Sequence, residues 1–208
     1  MRSRGRGERT GKFAELLLER GARVFAVEPN GYMLADAEKC LSEYTLFAAV
    51  RGSAENTSLS AASVDFVTAA QAFHWFDAAA FRKECLRILK PGGKVALVWN
   101  AFDSSDETCR AYGEFLAARC SLFKGFGGGY ADNTDAITLF FGGTYETVKI
   151  PGVQKYDKRH FIDRALSSSY TPRPSDDGFK AFSDDLSQFF DANERRGVIR
   201  FTCSTAVY

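Results

Sequence analysis

An open α/β sheet is the fold class this sequence predicts, and three observations carry it. Val24-Phe25-Ala26-Val27 is a short continuous apolar run closed by Glu28-Pro29, the pattern of a parallel strand covered on both faces. Further strand-like runs, Val64 to Ala70 and Val95 to Trp99, alternate with stretches whose apolar residues recur at helical spacing. Glycine and proline stand where those stretches should stop, and such an alternation implies an open sheet with right-handed crossovers.

Phe13, Leu16 and Leu17 mark a first helix from about Gly11 to Arg20, ended by Gly21. After the strand at Val24, Met33, Ala37 and Leu41 mark a second helix, and Leu46 to Val50 reads as a strand before Gly52-Ser53-Ala54-Glu55. The strand from Val64 leads through Gln71 to Asp77 into a helix whose Phe81, Cys85, Ile88 and Leu89 share one face. Lys90-Pro91-Gly92-Gly93 ends that helix, because proline cannot continue it and the glycines turn the chain. Beyond Asn100 the spacing predicts a helix over Glu107 to Phe123, a flexible glycine cluster at Gly125 to Gly129 and a strand over Thr144 to Ile150. Residues 160 to 195 read as mostly helical, and Val198 to Val207 as a closing strand. No internal repeat is visible.

The 208 residues suit one domain, with 45% hydrophobic and 25% charged residues, and no apolar run spans a bilayer. A cytoplasmic protein is expected. A net charge of +1 argues against a nucleic-acid surface. The five cysteines, spread without any C-x-x-C, indicate neither a disulfide framework nor zinc, and with His74 and His160 the only histidines, no metal site is expected. Arg2, Arg4, Arg6 and Arg9 precede no apolar stretch, so they do not form a secretory signal.

In an open α/β sheet a ligand sits beyond the carboxyl ends of the strands, which makes three loops candidates: Glu28-Pro29-Asn30, Ser53-Ala54-Glu55 and Gln71 to Trp75. Glu28 follows Gly11 at close to the spacing expected of an acidic residue that accepts hydrogen bonds from ribose hydroxyls. His74 beside Trp75 reads as a general base, a substrate clamp or a packed pair. Phe73, Trp75 and Phe76 read either as a pocket lining or as core.

Four stretches, "TGKFAELLLERGARVFAVEPN", "GSAENTSLSAASVDFV", "AAQAFHWFD" and "RILKPGGKVALVWN", in this order and spacing, resemble the class I S-adenosylmethionine-dependent methyltransferases, in the small-molecule branch known as methyltransferase domain 11. "GGTYETVKIPG" and "VIRFTCSTAVY" are similar to the last two strands of such enzymes. The resemblance implies a Rossmann-like open twisted sheet, mostly parallel with an antiparallel C-terminal strand. It implies S-adenosylmethionine as cofactor and methyl transfer to a small-molecule acceptor, with no nucleic-acid or membrane partner. The cofactor residues it implies are Gly7, Thr10, Gly11, Glu28 and Pro29, with Met33 near the adenine. Ser53, Ala54 and Glu55 follow in the next loop, Ser53 standing where the family commonly has aspartate, and Gln71 and Ala72 fall at the methionine end. His74, Trp75, Trp99 and Asn100 are the candidates for acceptor contact, and residues 101 to 195 hold the variable substrate-side region.

The opening stretch departs from the family pattern. Aligning the last glycine of the family's acidic-x-Gly-x-Gly-x-Gly loop on Gly11 places Gly5 at the acidic position, Gly7 at the first glycine and Arg9 at the second. Glycine serves there because the backbone approaches the cofactor without a Cβ in the way. Residues 1 to 10 contain one large apolar residue, Met1, and so predict no buried strand ahead of the first helix. The abrupt change at about Thr10 suggests a truncated, mis-started or frame-shifted N-terminus. Its functional alternative is a non-catalytic protein of the same fold. A nicotinamide-dependent dehydrogenase is disfavoured, because G-x-G-x-x-G after a strand is missing.

Overall fold

The computed structural model describes residues 11–126 and 134–208. Two compact units divide the chain, Met1–Leu97 with Ala136–Tyr145, and Val98–Asp135 with Glu146–Tyr208.

In the first unit α1 (Lys12–Leu18) leads to β1 (Val24–Glu28), α2 (Gly31–Leu41) and β2 (Phe47–Arg51). Then come β3 (Val64–Ala70), a single 3-10 turn at Phe73–Trp75, α3 (Ala78–Ile88) and β4 (Leu89–Phe102), which runs on into the second unit. Helix starts are set by side-chain caps. Asn30 accepts from the N–H groups of Tyr32 and Met33 at the head of α2, and Asp77 from those of Ala79 and Ala80 at the head of α3. Each satisfies two of the orphan donors of a helix N-terminus. Phe81, Cys85 and Ile88 of α3 are buried, as their spacing predicts, and the Phe140 ring packs 5.0 Å from Phe73 and 5.3 Å from Phe81.

β1 and β2 pair in parallel, Val24 opposite Phe47 and Glu28 opposite Arg51. The other sheet has the order β3-β4-β6-β5, so the described residues form two sheets where one was expected. The expected absence of a strand before α1 concerns residues 1 to 10, which lie outside the described residues. β1 also departs from the expectation of cover on both faces, since every one of its residues is only half-buried. Among the described strands it bonds to β2 alone, with α1 and α2 packed on it.

The second unit contains α4 (Glu107–Arg119), β5 (Val148–Tyr156), α6 (Lys158–Leu166), α7 (Phe179–Asn193) and β6 (Ile199–Val207), while α5 (Thr134–Phe141) falls almost entirely in the first. β6 is antiparallel both to the end of β4, with Val98 opposite Val207, and to β5, with Val148 opposite Val207. The antiparallel C-terminal strand is therefore present, and it lies between two strands that run alike. Tyr112, Leu116, Phe161, Leu186 and Phe201 form the core of this unit. The strand expected over Thr144 to Ile150 is displaced to Val148–Tyr156, running on through Pro151 and Gly152, which an edge strand tolerates. The long helical stretch is two helices, because Ser167 to Gly178 between them contains Pro172, Pro174 and several serine and aspartate residues, which favour turns over helix. Gly127 to Gly129 of the glycine cluster lie outside the described residues.

Candidate functional site

The candidate loops leave the carboxyl ends of β1, β2 and β3, all within the first unit. Because β1 and β2 are parallel and Glu28 lies opposite Arg51, the first two loops emerge side by side. A hydrogen bond ties the second to the third: Asp77 N–H donates to Glu55 Oε1 at 3.1 Å. Gly7 and Thr10 lie outside the described residues.

At the first loop, Glu28 ends β1 half-buried, and its Oε1 accepts from Asn30 N–H at 2.8 Å. No other hydrogen bond to this carboxylate is recorded among the described residues, so its second oxygen remains available to a vicinal diol. Pro29 is exposed, Met33 is 47% exposed one turn into α2, and Tyr32 beside it is 92% exposed. Gly11 precedes α1 with a φ of 88°, and a Cβ there would meet Leu41 Cδ1 at 3.0 Å. Both facts require glycine at this position.

The second loop is a tight turn. Ser53 N–H donates to Asn56 O at 3.0 Å and Asn56 N–H to Ser53 O at 3.2 Å, while Ser53 Oγ accepts from Asn56 N–H. A Cβ on Gly52 would lie 2.8 Å from Asn56 O, so the turn closes only around glycine. Ser53 and Glu55 side chains serve this turn: burial pushes the Glu55 carboxyl up, but hydrogen bonds from Ser53, from its own N–H and from Asp77 N–H outweigh it and hold the group below its usual range. Ala54 sits half-buried between them.

The third loop opens on Gln71, whose φ of 55° is left-handed, a conformation costly for a residue with a Cβ. Ala72 follows, half-buried. Phe73 turns inward and is core rather than pocket lining, packing against Phe76, Phe81 and Phe140. His74 is half-buried, and burial pushes its pKa down, disfavouring the charged imidazolium. Its ring lies 4.8 Å from that of Trp75, which is 79% exposed. Trp99 and Asn100 belong to the second unit, Trp99 buried with its ring 5.9 Å from that of Tyr208, and Asn100 exposed opposite Thr205.

Sequence reasoning passed over Thr57, Glu84 and Arg87. Glu84 is a buried carboxylate that accepts from Thr57 N–H, from Thr57 Oγ–H and from Arg87. The Arg87 hydrogen bond, against the effect of burial and helped by both Thr57 bonds, holds its pKa at about 2. A signal was present, since Glu84 stands three residues after Phe81 and four before Ile88, on the apolar face of α3.

Comparison with known proteins bears on the family and the fold. Residues 5–97 match a family described as a methyltransferase domain, nearly the main segment of the first unit. An uncharacterized methyltransferase of Mycobacterium tuberculosis is 41% identical over 110 residues, covering 53% of this chain and 44% of the relative. An uncharacterized methyltransferase-like protein of Schizosaccharomyces pombe is 38% identical over 100 residues, covering 48% of this chain and 38% of its own. The chain thus spans less than half the length of these curated relatives. Among solved structures, a protein of Anaeromyxobacter dehalogenans provisionally described as a type II methyltransferase superposes with a TM-score of 0.65 at 22% identity, covering 95% of this chain and 85% of that one. One of Bacillus halodurans, likewise provisionally described as a methyltransferase, gives 0.55 at 16% identity, covering 95% and 87%. At such identities the superpositions speak for the fold alone. By sequence, the similarity is to the methyltransferase domain family, over residues 5–97.

Proposed function

We propose that the chain transfers a methyl group from S-adenosylmethionine to a small-molecule acceptor. One observation supports this above the others: the loops after β1, β2 and β3 are joined, by the Glu28–Arg51 register and the Asp77–Glu55 hydrogen bond, at the strand ends where a nucleoside binds in an open α/β sheet. The residues fit that ligand. Glu28 has a carboxylate oxygen left to accept from the ribose, Met33 offers an exposed apolar face to the adenine, and the loop from Gln71 and Ala72 takes the methionine end.

When bound, the cofactor supplies an electrophilic methyl on a sulfonium, so the chain itself needs no strong acid or nucleophile. Its work is to orient the reactants and exclude water. His74, whose charged form burial disfavours, presents a ring nitrogen that can accept a proton from the acceptor, and Trp75 offers the acceptor an apolar contact. The five cysteines are free thiols, which suits a reducing cytoplasm.

Calorimetric titration of the chain with S-adenosylmethionine tests the reading. Binding at micromolar affinity that Glu28→Ala weakens is the expected result. Absence of binding up to millimolar cofactor overturns it.

A further inference from the structure

The segment between β2 and β3 is held by the last turns of α3 in a way that ordinary packing does not require. Glu84, 7% exposed, accepts at Oε1 from Thr57 N–H at 2.9 Å, from Thr57 Oγ–H at 2.5 Å and from Arg87 Nη2 at 2.7 Å. Its Oε2 accepts from Arg87 Nε at 2.7 Å, and Arg87 Nη2 also donates to Leu59 O at 2.7 Å. Further on, Ala62 N–H donates to Arg87 O at 3.0 Å and Ser63 N–H to Ile88 O at 2.8 Å. The loop is gripped at four places along seven residues of its length, from Thr57 to Ser63.

What it grips is strained. Ser58 and Ala62 have φ of 61° and 48°, left-handed conformations that non-glycine residues keep only where their surroundings over-determine them. Burying a carboxylate costs desolvation that an ion pair with a half-exposed arginine largely offsets rather than exceeds, so stability over an apolar side chain does not by itself account for Glu84 on the apolar face of α3. Geometry does account for it. A carboxylate that accepts from both the N–H and the hydroxyl of Thr57 fixes that residue in position and rotation, and Thr57 directly follows the Ser53–Asn56 turn. The Asp77–Glu55 bond fixes the turn from the head of the same helix.

We infer that Glu84 and Arg87 are positioning residues for nucleoside binding: through Thr57 they set the Ser53–Asn56 turn that carries the proposed cofactor contacts. This role rests on the methyltransferase reading above. It requires the pair to act on affinity beyond its effect on stability, because a turn that drifts presents its backbone groups to the adenine at the wrong distance.

The test uses the full chain, with S-adenosylhomocysteine as the probe. Affinity by calorimetry and amide exchange over residues 52–59 are compared in wild type, Glu84→Gln and Thr57→Val, with Ile88→Val as a control that loosens the same helix but leaves the Glu84, Arg87 and Thr57 side chains and the Ile88 carbonyl in place. Thr57→Val keeps the shape and removes only the two bonds of the hydroxyl, to Glu84 and from Leu59 N–H, so it serves where Glu84→Gln does not fold. Faster exchange over 52–59 and affinity lowered about tenfold in the network variants, with Ile88→Val binding as wild type, is the expected result. A wild type that binds while the network variants bind equally well overturns the positioning role and leaves the methyltransferase reading standing. A wild type that binds no S-adenosylhomocysteine overturns both.

Discussion

Glu28 occupies a half-buried strand end, with one carboxylate oxygen engaged by Asn30 N–H. A charge-assisted hydrogen bond to a ribose hydroxyl contributes about 1.5–3 kcal/mol, so Glu28→Ala is expected to weaken S-adenosylmethionine by roughly 10–100-fold in calorimetry. Its thermal midpoint should stay near that of the wild type, because no buried partner is orphaned. Gln71 gives a complementary expectation. Replacing it by glycine removes the left-handed strain but adds freedom to the unfolded chain, and the two offset to within about 1 kcal/mol. Replacing it by valine, which is β-branched and resists a positive φ, should lower the urea midpoint clearly below that of Gln71→Gly. At this scale the sequence was readable for the position of Glu28, expected at a strand end and found there. It was silent on Glu84, whose role depends on Thr57, twenty-seven positions away in the chain. Ser53 and Glu55 show the same limit, since their side chains serve a turn whose closure only the coordinates display.

Among the elements, the helix stops were legible, although Lys90 to Gly93, expected to turn the chain, lie within β4, which begins at Leu89. Asn30 and Asp77 stand ahead of α2 and α3 as capping residues should, and the α3 helix ends at Ile88 before the proline. Asn30→Ala is expected to cost about 1 kcal/mol, read as a lowered urea midpoint with unchanged slope. The elements that escaped the reading have physical reasons. α5 is a short helix with aromatic residues at its end, Phe140 and Phe141, so its pattern resembles a strand as much as a helix. β5 keeps Pro151 because the strand bonds to β6 on one side only, a circumstance that belongs to sheet order and not to local sequence.

For the molecule as a whole, the alternation of strands and helices was sufficient to give the class, whereas the separation into two sheets followed from what lies beyond any local pattern. Stability should show both a core and an electrostatic signature. Phe201 is fully buried in the second unit, with rings of Tyr112 and Phe161 at 5.3 and 5.9 Å, so Phe201→Ala is expected to cost about 3–5 kcal/mol by chemical denaturation. Glu84, whose folded pKa of about 2 lies below the unfolded value near 4.5, contributes on the order of 3 kcal/mol in the ionised state. Because the folded value is the lower one, that contribution is complete above the unfolded pKa and is lost as pH falls through about 2. Urea midpoints measured at pH 7 and pH 3 should therefore differ less in Glu84→Gln than in the wild type.

β6 lies between β4 and β5, so these two strands meet only through it. A chain emerging from the ribosome makes β5 well before β6, and during that interval the edge of β4 from Val98 to Phe102 and the apolar Val148, Ile150 and Val153 of β5 have no bridging strand. Such edges invite pairing with other nascent chains. The pairing of β4 and β5 through β6 cannot form before β6 is made, so slower synthesis of the stretch from Tyr156 to Ile199 is expected to lower the yield of native second unit, measured as soluble against aggregated chain.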